Sequence, residues 1–222
     1  GRAMIIPHTY ADKTVAVMGL GKSGLAASRA LNAAGATVWA WDDDAAHRDT
    51  AAAEGIPITD LNGCDWQQPD ALMLSPGIPH SFPSPHPVAA AAIAAQCDVI
   101  CDVEMLFNAL NAPMTIGVTG TNGKSTTTAL ISHIIEGAGR PVQAGANFGL
   151  PVLEMDVLSE DGVYVLELSS YQLERVPSIG LNVAVLLNVS ADHLDRHGDM
   201  DGYVAAKKHI FDNPPEGASA VV

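Results

Sequence analysis

Two short apolar runs, each feeding a glycine cluster, organise this chain. The first, Thr14 to Met18 (TVAVM), is rich in strand-favouring residues and leads straight into GLGKSG. A helical pattern follows, apolar at Leu25, Ala26, Ala30 and Leu31, and it ends near Gly35. A second run, Thr37 to Trp41, stops at Asp42, 18 residues after Gly24. Strand, glycine turn, helix, strand and terminal acid form the dinucleotide-type βαβ pattern, in which the acid usually follows by about 20 residues. Gly19 allows the tight turn, Gly21 lets a ligand come close, and Gly24 lets helix and strand pack. Taken alone, the pattern predicts a nicotinamide or flavin site. In its strand–helix–strand context it favours a nucleotide or sugar-nucleotide site over a glycine turn that only packs a Rossmann-like unit.

The same α/β rhythm continues. ALMLSPGIP (71–79) is a strand ending in a Pro/Gly turn, and VAAAAIAA (88–95) is a helix of strong helix formers. Asn111-Ala112-Pro113 breaks the pattern and reads as a linker, which puts a domain boundary near residue 112. The chain restarts with a strand, Met114 to Val118, and then TGTNGKST. This loop departs from G-x-x-x-x-G-K-[ST], since Val118 stands where the first glycine belongs. A strand feeding a glycine loop with Lys-Ser at a helix start still suits a triphosphate. Backbone N–H groups and the helix dipole face the phosphates, Lys124 reaches the terminal ones, and Ser125 can ligate Mg²⁺. Leu130, Ile131, Ile134 and Ile135 lie on one face of the helix that follows. Val163 to Leu168 is a buried strand whose end presents Glu167 among apolar neighbours, where a carboxylate needs a cation or hydrogen bonds, including those of backbone N–H groups. NVAVLLNVSADHLDRHG (182–198) is another buried strand, running into Asp192, His193 and Asp195. That cluster alone reads as readily as a solvated loop as it does as a metal site.

Composition narrows the classes. The 222 residues, 48% hydrophobic and 16% charged, describe a globular protein with room for one large or two small domains. A net charge of −14 argues against nucleic acid, which binds through clustered Lys and Arg, but leaves small anionic ligands open. Cys64, Cys97 and Cys101 make no disulfide framework; the last two read as buried thiols in a reducing compartment. No run reaches the roughly 18 apolar residues of a membrane span, and no signal peptide is evident. The opening GRA before Met4 reads as a cloning remnant.

TGTNGKST, LELSSYQLE, NVSADHLDRHG and YVAAKKHIF, in that order, closely resemble the Mur ligases of peptidoglycan synthesis. GLGKSG and LELSSYQLE resemble most the branch that adds D-glutamate. The resemblance runs from about residue 13 to the end. It implies an α/β fold with a Rossmann-like UDP-substrate domain (4–111) followed by a P-loop-type ATP-binding central domain (112–222). It also implies a cytoplasmic, ATP- and Mg²⁺-dependent ligase with a monomeric parent. The ATP loop would comprise Gly120, Thr121, Asn122, Gly123, Lys124, Ser125 and Thr126. Gly21, Lys22, Ser23 and Gly24 would face the UDP diphosphate or uracil, Asp42 and Asp43 would sit near the uracil, and Ser75, Pro76 and Gly77 would close that pocket. Asn147 would lie near the muramoyl end, although a cap or turn role suits it as well, and Ser169 joins the substrate-binding set. Ser125, Glu167, His193 and Lys207 would gather around Mg²⁺. Lys207 matches the lysine this family carbamylates, which leaves Lys208 as a surface charge; Ala205, Ala206, Ile210 and Phe211 are expected in the core. Lys124, His193 and Lys207 are the expected catalytic residues.

The family carries a third, C-terminal domain for the incoming amino acid. Its absence here, with GASAVV reading as a strand just begun, predicts a fragment that binds UDP, holds a partial ATP site with an open sheet edge, and lacks ligase activity. Two readings compete with the ligase. An NAD(P)-dependent oxidoreductase would account for GLGKSG and Asp42 alone, and a non-catalytic nucleotide-binding module would need no amino-acid site.

Overall fold

In the computed structural model, which describes residues 4–110 and 113–222, the chain forms two parallel sheets flanked by helices. The opening GRA and the expected linker residues 111 and 112 lie outside the described residues. In the first unit β1 (Thr14–Met18), α1 (Lys22–Ala34), β2 (Thr37–Trp41), α2 (Ala45–Ala53), β3 (Ala71–Leu74), α3 (Pro87–Ala94), β4 (Asp98–Ile100) and α4 (Asp102–Ala109) alternate along the chain. The sheet order is β2-β1-β3-β4, with Val15 opposite both Val38 and Ala71. The chain therefore winds outward from β1 to β2 and then crosses back to β3. Such a reversal opens a crevice at the carboxyl ends of the central strands, here between Gly19 and Ser75.

The second unit contains β5 (Met114–Thr119), α5 (Lys124–Gly137), β6 (Val142–Ala146), β7 (Val163–Glu167), α6 (Ser170–Leu173), β8 (Val183–Leu186), α7 (Leu194–His197), α8 (Met200–Lys208) and β9 (Ser219–Val221). Its order is β6-β7-β5-β8-β9, all parallel, so the winding reverses around β5, the strand that feeds TGTNGKST. β7 is buried along its whole length, which explains its unbroken apolar run VYVL before Glu167. A Cβ on Gly117 inside β5 would stand 2.4 Å from Leu181 Cδ1, so a larger residue there would force that side chain to move. β9 lies at the sheet edge with all three residues exposed.

One buried cluster joins the units, packing Val17, Leu31 and Leu106 in the same core as Val152, Leu166 and Leu173. The three cysteines are free, with Cys97 and Cys101 buried. Two expectations about helix faces need correction. α5 presents Ile131 and Ile135 to the sheet, but Leu130 and Ile134 are exposed, at 57% and 60%. One flank of that apolar stripe faces away from the strands. In α8 and the turn after it, Ala206 and Ile210 are buried, whereas Ala205 is exposed and Phe211 only partly covered. The helix packs one narrow face, and Ala205 lies off it.

Candidate functional site

Both glycine loops open a helix without a side-chain cap, and α4 and α7 likewise start uncapped, at Cys101 and His193. α2, α3, α6 and α8 begin under side-chain caps from Asp44, His86, Ser169 and Asp199. α1 and α5 begin at Gly21 and Gly123 with no side-chain cap, leaving their first N–H groups for another partner.

In the first loop Gly19 adopts φ +93° and donates its N–H to Trp41 O at 2.8 Å. A Cβ on Gly24 would stand 1.8 Å from Gly19 O, so this glycine is what lets the turn close. A Cβ on Gly21 would meet nothing within 4 Å, and Gly21 and Lys22 face solvent. Asp42 holds the turn from β2: Oδ2 accepts from Leu20 N at 2.7 Å and Oδ1 from Asp44 N at 2.8 Å. Partial burial works against its charge, but these amides and His47 outweigh that and keep the carboxyl below its usual range. Asp43 pairs with His86 Nε2 at 2.8 Å. Ser75 donates its N–H to Met18 O at 3.0 Å and its hydroxyl to Gly19 O at 3.3 Å, which seats the Ser75-Pro76-Gly77 turn directly on the glycine loop.

The second loop is held from β8. Asn188 Oδ1 accepts from Thr121 N (3.0 Å) and Asn122 N (2.9 Å), and its Nδ2 donates to Asn122 O (2.9 Å). Thr121 Oγ1 meets the Tyr203 hydroxyl at 3.0 Å. Asn122, Gly123, Ser125 and Thr126 remain exposed at the loop's outer surface. Glu167, only 4% exposed, accepts from Ser125 Oγ at 2.9 Å and from Asn147 Nδ2 at 3.3 Å. Lys124 Nζ folds back onto Gly120 O (2.7 Å) and Thr121 O (3.2 Å). Lys207, 2% exposed, donates to the same Gly120 O at 3.1 Å and to Thr119 Oγ1 at 3.2 Å. Its hydrogen bonds go to neutral oxygens. Burial, and then the neighbouring Lys124 charge, lower its pKa to about 8, within reach of a free amine at neutral pH. Lys208 is exposed.

The fold thus gathers Ser125, Glu167 and Asn147 at one point and Lys124 and Lys207 at another, both on the Gly120–Ser125 loop. His193 stands differently. It begins α7 at φ +51°, is half exposed, lies 3.4 Å from Asp192 and presents its ring edge to Tyr171 at 5.2 Å. Ser169 makes a reciprocal capping box with Gln172. Among the described residues no three His, Cys, Asp or Glu side chains form a group that could hold a metal, and no helix is long and apolar enough to cross a membrane.

Several contributors escaped the sequence reading. Asn188 follows a buried strand, and a polar residue at that place is a readable signal. Arg175, Arg196 and the His197–Glu174–Ser170 hydrogen bonds carry none, because their partners are 23 to 120 positions away.

Rossmann-like and P-loop-type α/β units in series, each with an uncapped glycine loop at the reversal of its sheet, define the class of fold. Residues 118–222 match the Mur ligase middle domain. Nearly the whole chain also aligns with ligases of that kind. It is 55% identical over 219 residues to the UDP-N-acetylmuramoylalanine–D-glutamate ligase of Paramagnetospirillum magneticum, covering 99% of this chain and 48% of that protein. It is 52% identical over 225 residues to the ligase of the same name from Caulobacter vibrioides, with the same two coverages. The chain spans about half the length of the curated relatives it matches. Among solved structures, the fold resembles that of UDP-N-acetylmuramate:L-alanyl-gamma-D-glutamyl-meso-diaminopimelate ligase from Neisseria meningitides. That match has a TM-score of 0.57 at 22% identity, covering 95% of this chain and 71% of that one. It also resembles UDP-N-acetylmuramate-alanine ligase from Thermotoga maritima, with a TM-score of 0.54 at 20% identity, covering 93% and 48%.

Proposed function

We propose that the chain is the substrate- and nucleotide-binding portion of a cytoplasmic, ATP-dependent amide ligase that adds D-glutamate to UDP-N-acetylmuramoyl-L-alanine. The observation that carries this reading is the second loop. An uncapped helix start, Lys124, and Ser125 bonded to the buried Glu167 meet there, in a chain half identical to D-glutamate ligases. On this reading residues 4–111 hold the UDP sugar between GLGKSG and Ser75-Pro76-Gly77, and residues 112–222 hold ATP.

The substrate carboxylate attacks the γ-phosphate, forming a C–O–P bond as ADP leaves. The amine of D-glutamate then adds to the acyl carbon, and inorganic phosphate departs with its electron pair as the amide forms. Lys124 swings from Gly120 O to the phosphates and offsets their charge. The loop amides and the α5 start bind the phosphate oxygens and fix the line of attack. A hydroxyl and a carboxylate are oxygen ligands of the kind Mg²⁺ takes, so Ser125 and Glu167 fit that ion. When bound, Mg²⁺ would neutralise phosphate charge. His193 adds a ring nitrogen at the rim. Lys207 would approach the ion only as a carbamate, since its ammonium would repel it; its lowered pKa supports formation of that carbamate.

The test is calorimetric titration of the chain with UDP-N-acetylmuramoyl-L-alanine and with Mg-ATP, using NADH as the control. Saturable binding of the sugar nucleotide and none of NADH supports the reading. Binding of NADH alone overturns it in favour of an oxidoreductase-type first loop, and Mg-ATP binding without the sugar nucleotide favours a plain nucleotide-binding module.

A further inference from the structure

Five successive backbone carbonyls, those of residues 74 to 78, turn toward two arginines of the second unit. Arg175, 1% exposed, donates from Nη1 to Leu74 O (3.1 Å) and Ser75 O (2.9 Å) and from Nη2 to Ile78 O (2.5 Å), while its Nε reaches His80 Nδ1 (3.0 Å). Arg196 donates from Nη1 to Gly77 O and from Nη2 to Pro76 O, each at 3.1 Å, and its guanidinium stacks 4.1 Å above the Tyr171 ring. A buried guanidinium bonded to carbonyls and an imidazole is costly unless its geometry is closely met, and the rigid fork of Arg suits several carbonyls in a way an ammonium cannot.

The placement matters because of what each end carries. Ser75 sits on Gly19, so the gripped turn is part of the first glycine loop. Arg175 follows the β7–α6 segment that starts at Glu167, and Arg196 stands on α7, three residues after His193. Glu174 extends the link, with Oε1 2.9 Å from His197 Nδ1 and Oε2 3.7 Å from His80 Nε2.

We propose that Arg175 and Arg196 are positioning residues that lock the 74–80 turn to the strand end bearing Glu167, so that the sugar nucleotide and the nucleotide phosphates are held in register. The locking is a property of the fold; its consequence for ligands rests on the function proposed above. Neither arginine needs to touch a ligand. Each fixes backbone that does, and misplacement by about 1 Å is enough to lose catalytic geometry.

The test compares the wild-type chain with Arg196→Gln, and with Arg175→Lys as a gentler change at the buried position. Folding is checked first by circular dichroism, and hydrogen exchange is then read at the amides of Leu74, Ser75, Gly77, Ile78 and His80. Exchange there is expected to rise about tenfold in Arg196→Gln while the amides of Thr121 and Asn122, bonded to Asn188, keep their protection. Affinity for UDP-N-acetylmuramoyl-L-alanine is expected to fall about tenfold, with Mg-ATP affinity unchanged within twofold. Arg196→Lys keeps the charge without the fork and recovers only part of the protection. Wild-type exchange at 74–80 in folded Arg196→Gln overturns the proposal, and so does an equal loss of both affinities. A wild-type chain that binds no sugar nucleotide refutes the proposed function instead, and the exchange measurement still decides the locking.

Discussion

Lys207 gives the sharpest energetic prediction. Its ammonium is 2% exposed, is bonded only to neutral oxygens and shares Gly120 O with a second lysine. A pKa that falls from 10.5 to about 8 corresponds to at most about 3 kcal/mol. Solvent screening of the charge reduces that to about 2 kcal/mol. The sign follows from proton binding, because the unfolded lysine holds its proton more tightly than the folded one. The penalty is therefore fully present below about pH 8 and fades as pH rises from there to 10.5. Lys207→Met keeps the chain length of the side chain and removes the charge. Gly120 O retains its bond from Lys124, but the buried Thr119 hydroxyl loses its donor, worth about 1 kcal/mol, and the contact of Nζ with the Tyr203 ring at 4.9 Å is lost, worth about 0.5–1 kcal/mol. Lys207→Met should then lie within about 0.5 kcal/mol of wild type at pH 7. It should fall below wild type by about 1.5–2 kcal/mol as pH approaches 10.5, where the penalty has faded and only the lost contacts remain. Urea unfolding at a series of pH values, in CO₂-free buffer, measures the difference directly. Taking the variant against wild type cancels the buried tyrosines and cysteines, whose raised pKa values act in the opposite direction. A variant less stable by more than about 1 kcal/mol at pH 7, or a difference that does not change with pH, would refute the reasoning. Added bicarbonate should stabilise wild type and not Lys207→Met, since only the lysine can form a carbamate.

Three further outcomes are expected. Gly24→Ala places a methyl 1.8 Å from Gly19 O and should cost at least about 3 kcal/mol by urea unfolding, whereas Gly21→Ala has open space, should fold normally and should lose sugar-nucleotide binding in calorimetry. Leu130→Lys and Ile134→Lys, at exposed positions of α5, should each change stability by less than about 0.5 kcal/mol, while Ile135→Ala on the partly buried, sheet-facing side should cost about 1–2 kcal/mol. Glu167→Gln should leave the thermal midpoint nearly unchanged, because Ser125 and Asn147 keep a polar partner, and should reduce the Mg²⁺-dependent part of ATP affinity at least tenfold, as titrations with and without chelator would show.

Much of the fold was legible because parallel sheets impose a strong local signature. β2 runs from Thr37 to Trp41 as its β-branched and aromatic run predicts, and α1 ends at Gly35 in the left-handed conformation, as a C-terminal glycine implies. The Glu167 environment was legible in part. An acid closing a buried strand needs partners, and Ser125 and Asn147 meet that need. Burial on α5 was not legible. The stripe Leu130-Ile131-Ile134-Ile135 is continuous in sequence, but only the angle at which the helix crosses the sheet selects which flank is covered.

The sequence by itself determined the two glycine loops, the strand–helix alternation around them and the residues able to carry phosphate chemistry, because backbone conformation and side-chain type act over a few neighbouring residues. The tertiary structure alone decided that Arg175 and Arg196 take hold of carbonyls about 100 and 120 positions away in the chain. Those contacts depend on how the two sheets dock. No local pattern encodes them, since a guanidinium meeting a carbonyl needs only that the folded backbone bring the two together.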